Sequence, residues 1–286
     1  MADVKNSDAG SVLRGAVGLV RTAPKRMNTV EPFFMEFIAG VESVLNPLGI
    51  SVMLAVTDSV EAEIATYRRW AEQSTVGAVL VTNLMVDDPR SAVLEDLGLR
   101  AVLVGEPAQD SFFPSVFASD TYAMNLVVEH LAGLGHSRIA HITGPQRFRH
   151  TATRSRVLSQ LAGEYSLEIT EFEGDYSDTV GESLTKKAMQ GSGRPTAIVY
   201  DNDVMAVAGL HALHSLGIDV PSQVAVVAWD DSPLCRLTQP PLTTATLDVF
   251  DMGANAARVL LDDAAGVVQD GAVEMRAKLI VRGSSV

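Results

Sequence analysis

The sequence predicts an α/β protein of two doubly wound lobes, each a parallel sheet covered by helices. Short β-branched runs alternate with amphipathic helical spacings along most of the chain, which is the pattern of βαβ units. At 286 residues the chain is long enough for each lobe to bury its own core. Eight strand candidates would make one wide open sheet, whereas roughly four or five per lobe make two sheets of ordinary size.

Residues 1–14 are small and polar, with Ser, Asp and Gly breaking any period, so a flexible leader is expected and order begins near Gly15. The strand candidates are 16–20, 51–56, 77–81, 101–104, 138–142, 168–172, 197–200 and 224–228. Phe34, Ile38, Val41 and Leu45 recur at helical spacing before Gly49 and set one apolar stripe against a sheet. Asp120 reads as the N-cap of a helix through Leu126, Val127, Leu131 and Leu134 that stops at Gly135. Asn202 or Asp203 opens another through Ala206, Leu210 and Leu213 to Gly217, and Met252, Ala256, Val259 and Leu260 mark the last. The natural break between lobes falls at Gly135-His136, between a helix stop and a new strand.

Composition narrows the function. Lys and Arg number 22 against 35 Asp and Glu, a net charge of −13 that repels nucleic acid and anionic membrane at long range. With 47% apolar and 20% charged residues, a folded globular core is expected. The single cysteine, Cys235, removes intrachain disulfides and thiolate metal sites and fits a reducing compartment. Met1 to Gly10 carries no apolar stretch, and no 18-residue apolar run occurs anywhere, so a cytoplasmic protein without membrane contact is expected.

Motifs that announce enzymes are missing: no P-loop, no G-x-S-x-G elbow, no H-E-x-x-H and no C-x-x-C. Gly133-Leu134-Gly135 lacks a third glycine and ends a helix. His211 and His214 share a helix face but have no acidic or thiol partner at matching spacing, so they read as surface residues. The pairs Asp87-Asp88, Asp230-Asp231 and Asp262-Asp263 are neighbours whose side chains point apart, which a catalytic dyad does not tolerate. Asp230, Asn202 and Tyr176 each lie just beyond the carboxyl end of a predicted strand, where open α/β sheets bind ligands. Each alone also reads as turn or cap chemistry; their coincidence on one edge reads as a ligand site.

An ordered set of motifs carries a family likeness over about residues 15–286. The stretches RPTAIVYDNDVMA (194–206), LGIDVP (216–221), VVAWDD (226–231) and PPLTT (240–244), with EHLAGLGHSRIAHITG (129–144) upstream and LIVRGSS (279–285) at the end, resemble the LacI/GalR family of bacterial transcriptional regulators. The resemblance implies a type I periplasmic-binding-protein-like fold, two doubly wound parallel-sheet lobes with an effector cleft between them. It assigns 15–135 with 247–265 to the N-terminal lobe and 136–246 with 266–286 to the C-terminal lobe, after the leader 1–14.

Carried over residue by residue, the resemblance implies an effector site. Phe33 and Phe34 in EPFF (31–34) offer an aromatic wall, with Glu31 replacing the family's asparagine. Arg156 matches the effector-clamping arginine, in a loop about two residues longer than the family's. Tyr176 matches an aromatic lining position, Asn202 a hydrogen-bonding one, and Asp230 the acceptor for ligand hydroxyls. Leu247 stands where sugar-binding relatives have glutamine, which makes the site less polar there, and Asp120 lies where a ligand-facing acid sometimes occurs or caps its helix. No catalytic residue, metal or cofactor is implied. The implied protein is a homodimeric sensor of a small, sugar-like effector. Its DNA contact would pass through an N-terminal helix-turn-helix that is absent ahead of Gly15, and the sequence leaves open why. The alternatives are a solute-binding protein of an ABC-type sugar transporter, which a secretory leader would favour, and an enzyme on a similar scaffold, which turnover of a bound ligand would favour.

Overall fold

The computed structural model describes residue 13 and residues 15–22, 32–108, 111–191, 193–267 and 271–286. The chain divides into two compact units. The first runs to Ala118 and resumes from Asp248 to Met275; the second comprises Ser119–Leu247 and Arg276–Val286.

Strands and helices alternate as the patterning requires. The first unit holds β1 (Ala16–Thr22), α1 (Pro32–Leu45), β2 (Ser51–Thr57), α2 (Val60–Glu72), β3 (Ala78–Val81), α3 (Arg90–Asp96), β4 (Arg100–Val104) and β5 (Ser115–Ala118). The second continues with α4 (Asp120–Gly133), β6 (Arg138–Thr143), α5 (Arg149–Tyr165), β7 (Glu168–Glu173), α6 (Asp178–Ala188), β8 (Ala197–Tyr200), α7 (Asp203–Ser215), β9 (Ala225–Trp229), α8 (Pro233–Leu237) and β10 (Thr243–Thr246). The chain returns to the first unit as α9 (Val249–Ala264) and β11 (Ala272–Met275), then closes the second with β12 (Lys278–Ile280).

Each unit is built on a six-stranded sheet, ordered β11-β5-β4-β3-β1-β2 in the first and β12-β10-β9-β8-β6-β7 in the second. All pairs are parallel except β12 against β10. Central strands β3, β8 and β9 are buried throughout, which is why they read as unbroken apolar runs. On β1, Gly18 leaves room for the Trp70 ring of α2, which a Cβ there would overlap.

Side-chain caps start five helices. Ser59, Ser119, Ser177, Asn202 and Asp248 each accept a backbone N–H from the first turn, at Ala62, Tyr122, Val180, Met205 and Asp251. Such a cap contributes about 1 kcal/mol. Ser119, and not Asp120, therefore caps α4; Asp120 is the first helical residue and its carboxylate is engaged elsewhere.

All eight expected strands form, with ends shifted by no more than a residue or two. β5, β10, β11 and β12 bring each sheet to six strands instead of four or five; segments such as TTAT and KLI are too short and too mixed to show a period. The expected break at Gly135 moves to Ala118. Helix α4 packs on α5, β10 and β12, and His130 Nε2 meets Ser285 Oγ at 2.8 Å, so it belongs with the second sheet. Likewise β11 stays in the first unit because Ala272–Met275 pair with Ser115–Ala118. The expected crossing near Thr246 falls at Leu247. In the expected leader, Leu13 is buried and its carbonyl accepts from Ala16 N at 3.2 Å; the rest of 1–14, like Glu31, lies outside the described residues.

Candidate functional site

In the second sheet the chain leaves β6 in one direction to β7 and returns on its other side as β8. Such a topological switch opens a crevice at the carboxyl ends of the strands, where α/β proteins bind ligands. Gly144 follows β6 there, Asp201 and Asn202 follow β8, and Trp229 and Asp230 end β9.

Helix α5 turns an arginine onto this edge. Its buried stripe is Thr151, Arg154, Val157, Leu158 and Leu161, the spacing of one helix face. Arg154 Nε donates to Asp120 Oδ1 at 2.6 Å, Nη1 lies 3.5 Å from Asp201 Oδ1, and the guanidinium carbon sits 4.4 Å from the centre of the Trp229 ring. Arg156, two residues on, faces the opposite side of the helix, where it is exposed and donates to Gln160 at 3.1 Å. The expected clamp is thus the wrong arginine for this edge; the helical period puts Arg154 there.

Beneath Arg154 lies an ion cluster in which His141 and Asp201 are buried and Glu171 is exposed. His141 of β6 meets Asp201 through Nε2 at 3.0 Å and Glu171 of β7 through Nδ1 at 3.2 Å. Asp201 Oδ2 also accepts from Gly144 N at 3.0 Å. Burial opposes charge on His141, but the two carboxylates outweigh it and raise its pKa to about 9. Burial likewise opposes charge on Asp201, and His141, Arg154 and the Gly144 amide overcome it and hold the carboxyl well below its usual range.

Tyr176 takes a left-handed backbone, φ 70°, and Asp230 another, φ 66°. Outside glycine such conformations cost energy and gather at functional sites. The Tyr176 hydroxyl bonds His150 Nε2 at 2.7 Å and Thr151 Oγ1 at 3.0 Å, and its ring stacks on Phe148 and His150. It packs so closely over Gly144 that a Cβ there would overlap the ring. Desolvation and then the Arg154 charge push the His150 pKa down, so the imidazole stays neutral.

Asn202 is buried and both ends of its amide have protein partners: Oδ1 accepts from Met205 N at 2.9 Å, and Nδ2 donates to the Tyr176 carbonyl at 3.1 Å. It caps α7 and holds the strained Tyr176 backbone, so its place is one of support. Asp230 N donates to the Ala245 carbonyl at 3.0 Å, and half-buried Leu247 follows β10. Asp231 takes a bidentate pair from Arg282 at 2.6 and 2.8 Å, which ties the chain end to the loop after β9. His211 and His214 are exposed, as expected.

The first unit has its own switch point, between β1 and β3. Phe33 stacks on Phe37 with ring centres 6.2 Å apart, whereas Phe34 is 2% exposed with Arg21 over its ring, a core residue more than a wall. Beyond β3, Arg90 spends five N–H donors on Glu63, Asp88 (twice), and the Thr82 and Asn83 carbonyls, at 2.6 to 3.0 Å. Thr22 Oγ1 reaches Glu63 Oε2 at 2.9 Å.

Within the second unit the structure gathers Asp120, Tyr176 and Asn202 around a residue that motif matching passed over, Arg154. Also missed were His141, Asp201, Glu171 and Trp229. The polar His141 inside the apolar run RIAHIT was a visible signal; its partners come from neighbouring strands and were not.

Residues 128–285 match the family described as Periplasmic binding protein-like domain. The HTH-type transcriptional regulator reg1 of Streptomyces lividans is 32% identical over 95% of this chain and 81% of its own length. A LacI family transcriptional regulator from Bifidobacterium animalis subsp. lactis superposes with a TM-score of 0.86 at 27% identity, over 95% of this chain and 97% of that one. The transcriptional regulator CelR in complex with cellobiose gives 0.86 at 26%, over 95% and 84%.

Proposed function

Because the chain belongs to the LacI/GalR family of transcriptional regulators and carries their periplasmic-binding-protein-like effector domain, we propose that it is a sensor and not an enzyme: a small sugar-like molecule binds it and shifts the balance between two conformations, and with it the regulator's affinity for DNA. The observation that carries the reading is Arg154 lying over Trp229 at the switch point of the second sheet, with Tyr176 and Asp230 held in strained backbone beside it. An aromatic face with charged hydrogen-bonding groups at one edge suits a ring bearing hydroxyls. The cellobiose bound by CelR is such a ring compound.

DNA contact is assigned to a helix-turn-helix of the kind named in the relatives and to no element described here. A homodimer fits the two-fold operators such readers use. No helix among the described residues is long and apolar enough to cross a membrane.

Calorimetric titration of the 286-residue chain with cellobiose, maltose and ribose tests the proposal. Saturable binding of one of them that Arg154→Lys weakens at least tenfold is expected. Binding of that sugar with the same affinity by the variant would remove this edge as the effector site.

A further inference from the structure

His141 stands in the middle of β6 between the core residues Ala140 and Ile142, and its side chain is fully buried. A central parallel strand favours an apolar residue at such a place, so a histidine there needs partners. It has two. Glu171 lies directly across on β7, and Asp201 follows Val199, the partner of His141 on β8, by one strand period. The ring nitrogens face these carboxylates at 3.2 and 3.0 Å, and two acceptors require two N–H donors, which only the imidazolium has. Glu171, though exposed, is itself tethered by Gln146 Nε2 at 3.1 Å.

What His141 holds is Asp201. Gly144 N occupies Oδ2 of that carboxylate at 3.0 Å, and Oδ1 is shared: His141 Nε2 lies 3.0 Å away and Arg154 Nη1 3.5 Å. A charge-assisted N–H···O contact closes to about 2.7–2.9 Å when nothing competes for the oxygen. Arg154 stops short of that. Its Nε is bonded to Asp120 at 2.6 Å, its Nη1 donates to the Asp201 backbone carbonyl at 3.3 Å, and its guanidinium carbon lies 4.4 Å from the centre of the Trp229 ring. Without His141, Oδ1 is left to Arg154 alone, and the guanidinium is drawn toward Asp201 and off the indole.

We propose that His141 is a positioning residue for this edge: by occupying Asp201 it keeps Arg154 over Trp229, and so sets the affinity for the ligand from a place that no ligand reaches. The inference rests on the reading of this edge as the effector site.

The test uses the full chain at pH 7. Its two tryptophans, labelled as fluorotryptophan, give two fluorine NMR signals: Trp229 beside Arg154, and Trp70 in the first unit as the internal reference. Trp229→Phe tells them apart. His141→Gln is expected to shift the Trp229 signal and leave Trp70 unmoved, and in an Arg154→Lys background the same substitution should shift Trp229 by at most about half as much. A residue that merely loosened the sheet would move the signal equally in both backgrounds. Calorimetric titration adds the ligand: of cellobiose, maltose and ribose, the sugar that binds the parent should bind His141→Gln at least fivefold more weakly, and that loss should vanish in the Arg154→Lys background. His141→Asn and Arg154→Gln replace either variant that fails to fold. An equal Trp229 shift in both backgrounds, no shift at all, or a sugar bound equally by parent and His141→Gln overturns the proposal. With no sugar bound by the parent, the reading of this edge as the effector site falls, and the Trp229 signals alone decide the positioning.

Discussion

Gly40 of α1 and Gly253 of α9 stand at reciprocal points of one helix crossing: a Cβ on Gly40 would overlap the Phe250 carbonyl, and a Cβ on Gly253 the Phe37 carbonyl. Neither position requires glycine for its own backbone, so closeness alone excludes a side chain. Gly40→Ala and Gly253→Ala should each gain helix propensity and still lose stability, by about 1–3 kcal/mol, because the overlapping atoms are backbone and cannot rotate away. Urea unfolding checks this, and the double variant should cost less than the two singles added, since either one alone already pushes the helices apart.

The two arginines of TRSR (153–156) make a sharper comparison. Arg154→Ala removes the donor to Asp120 Oδ1 and the guanidinium 3.5 Å from Asp201, which keeps His141, so the broken buried pair should destabilise the second unit by about 3–5 kcal/mol. Arg156→Ala removes one exposed hydrogen bond to Gln160 and should change stability by less than about 0.5 kcal/mol. Thermal unfolding of both variants decides it; equal losses would restore Arg156 to the buried edge.

These arginines also show where the sequence was legible and where it was not. Long apolar strands such as those at 197–200 and 224–228 are visible because central parallel strands are buried on both faces. β10, TTAT, is a strand only because β9 and β12 flank it, a fact of tertiary pairing. The choice between Arg154 and Arg156 was open to periodicity, since Thr151, Leu158 and Leu161 mark the buried face; matching a motif across a lengthened loop shifted the register by two. Asn202 was legible as a cap and proved to be one. The His141, Asp201 and Glu171 cluster needs β6 between β7 and β8, and strand order is not written in any one segment.

That cluster makes stability depend on pH. The His141 pKa stands raised to about 9 from an ordinary 6.5, so its charge stabilises the fold fully below pH 6.5 and the contribution fades as pH rises through 9. The size is on the order of 3 kcal/mol for a shift of this extent. Asp201 runs the other way: its lowered pKa stabilises the fold above the ordinary carboxylate range, and that is lost in acid. His141→Gln keeps polar groups toward both carboxylates and removes the charge. The stability difference between parent and variant, from urea midpoints at pH 6 to 10, should be largest at pH 6 and shrink toward pH 10. A difference that grows with pH contradicts the assignment.

The outer strands of the two sheets differ in a way that bears on assembly. β7, EITEFE, carries three glutamates along its exposed edge, the usual protection of an unpaired strand. β2, SVMLAVT, holds the equivalent place in the first sheet without one charge, and Met53, Leu54 and Val56 are 37%, 42% and 62% exposed. An uncharged apolar edge of this kind is stable in water only when something covers it, and in a homodimer a second copy of β2 presents the same neutral surface. Light scattering should therefore return a dimer mass at micromolar concentration, and Leu54→Lys with Val56→Lys should return a monomer of unchanged circular dichroism, because two charges on a self-matching edge meet their own copies. Glu168→Ala on β7 should leave the mass alone. A parent chain that is monomeric at tens of micromolar, or a lysine variant that stays dimeric, would take the dimer contact away from β2.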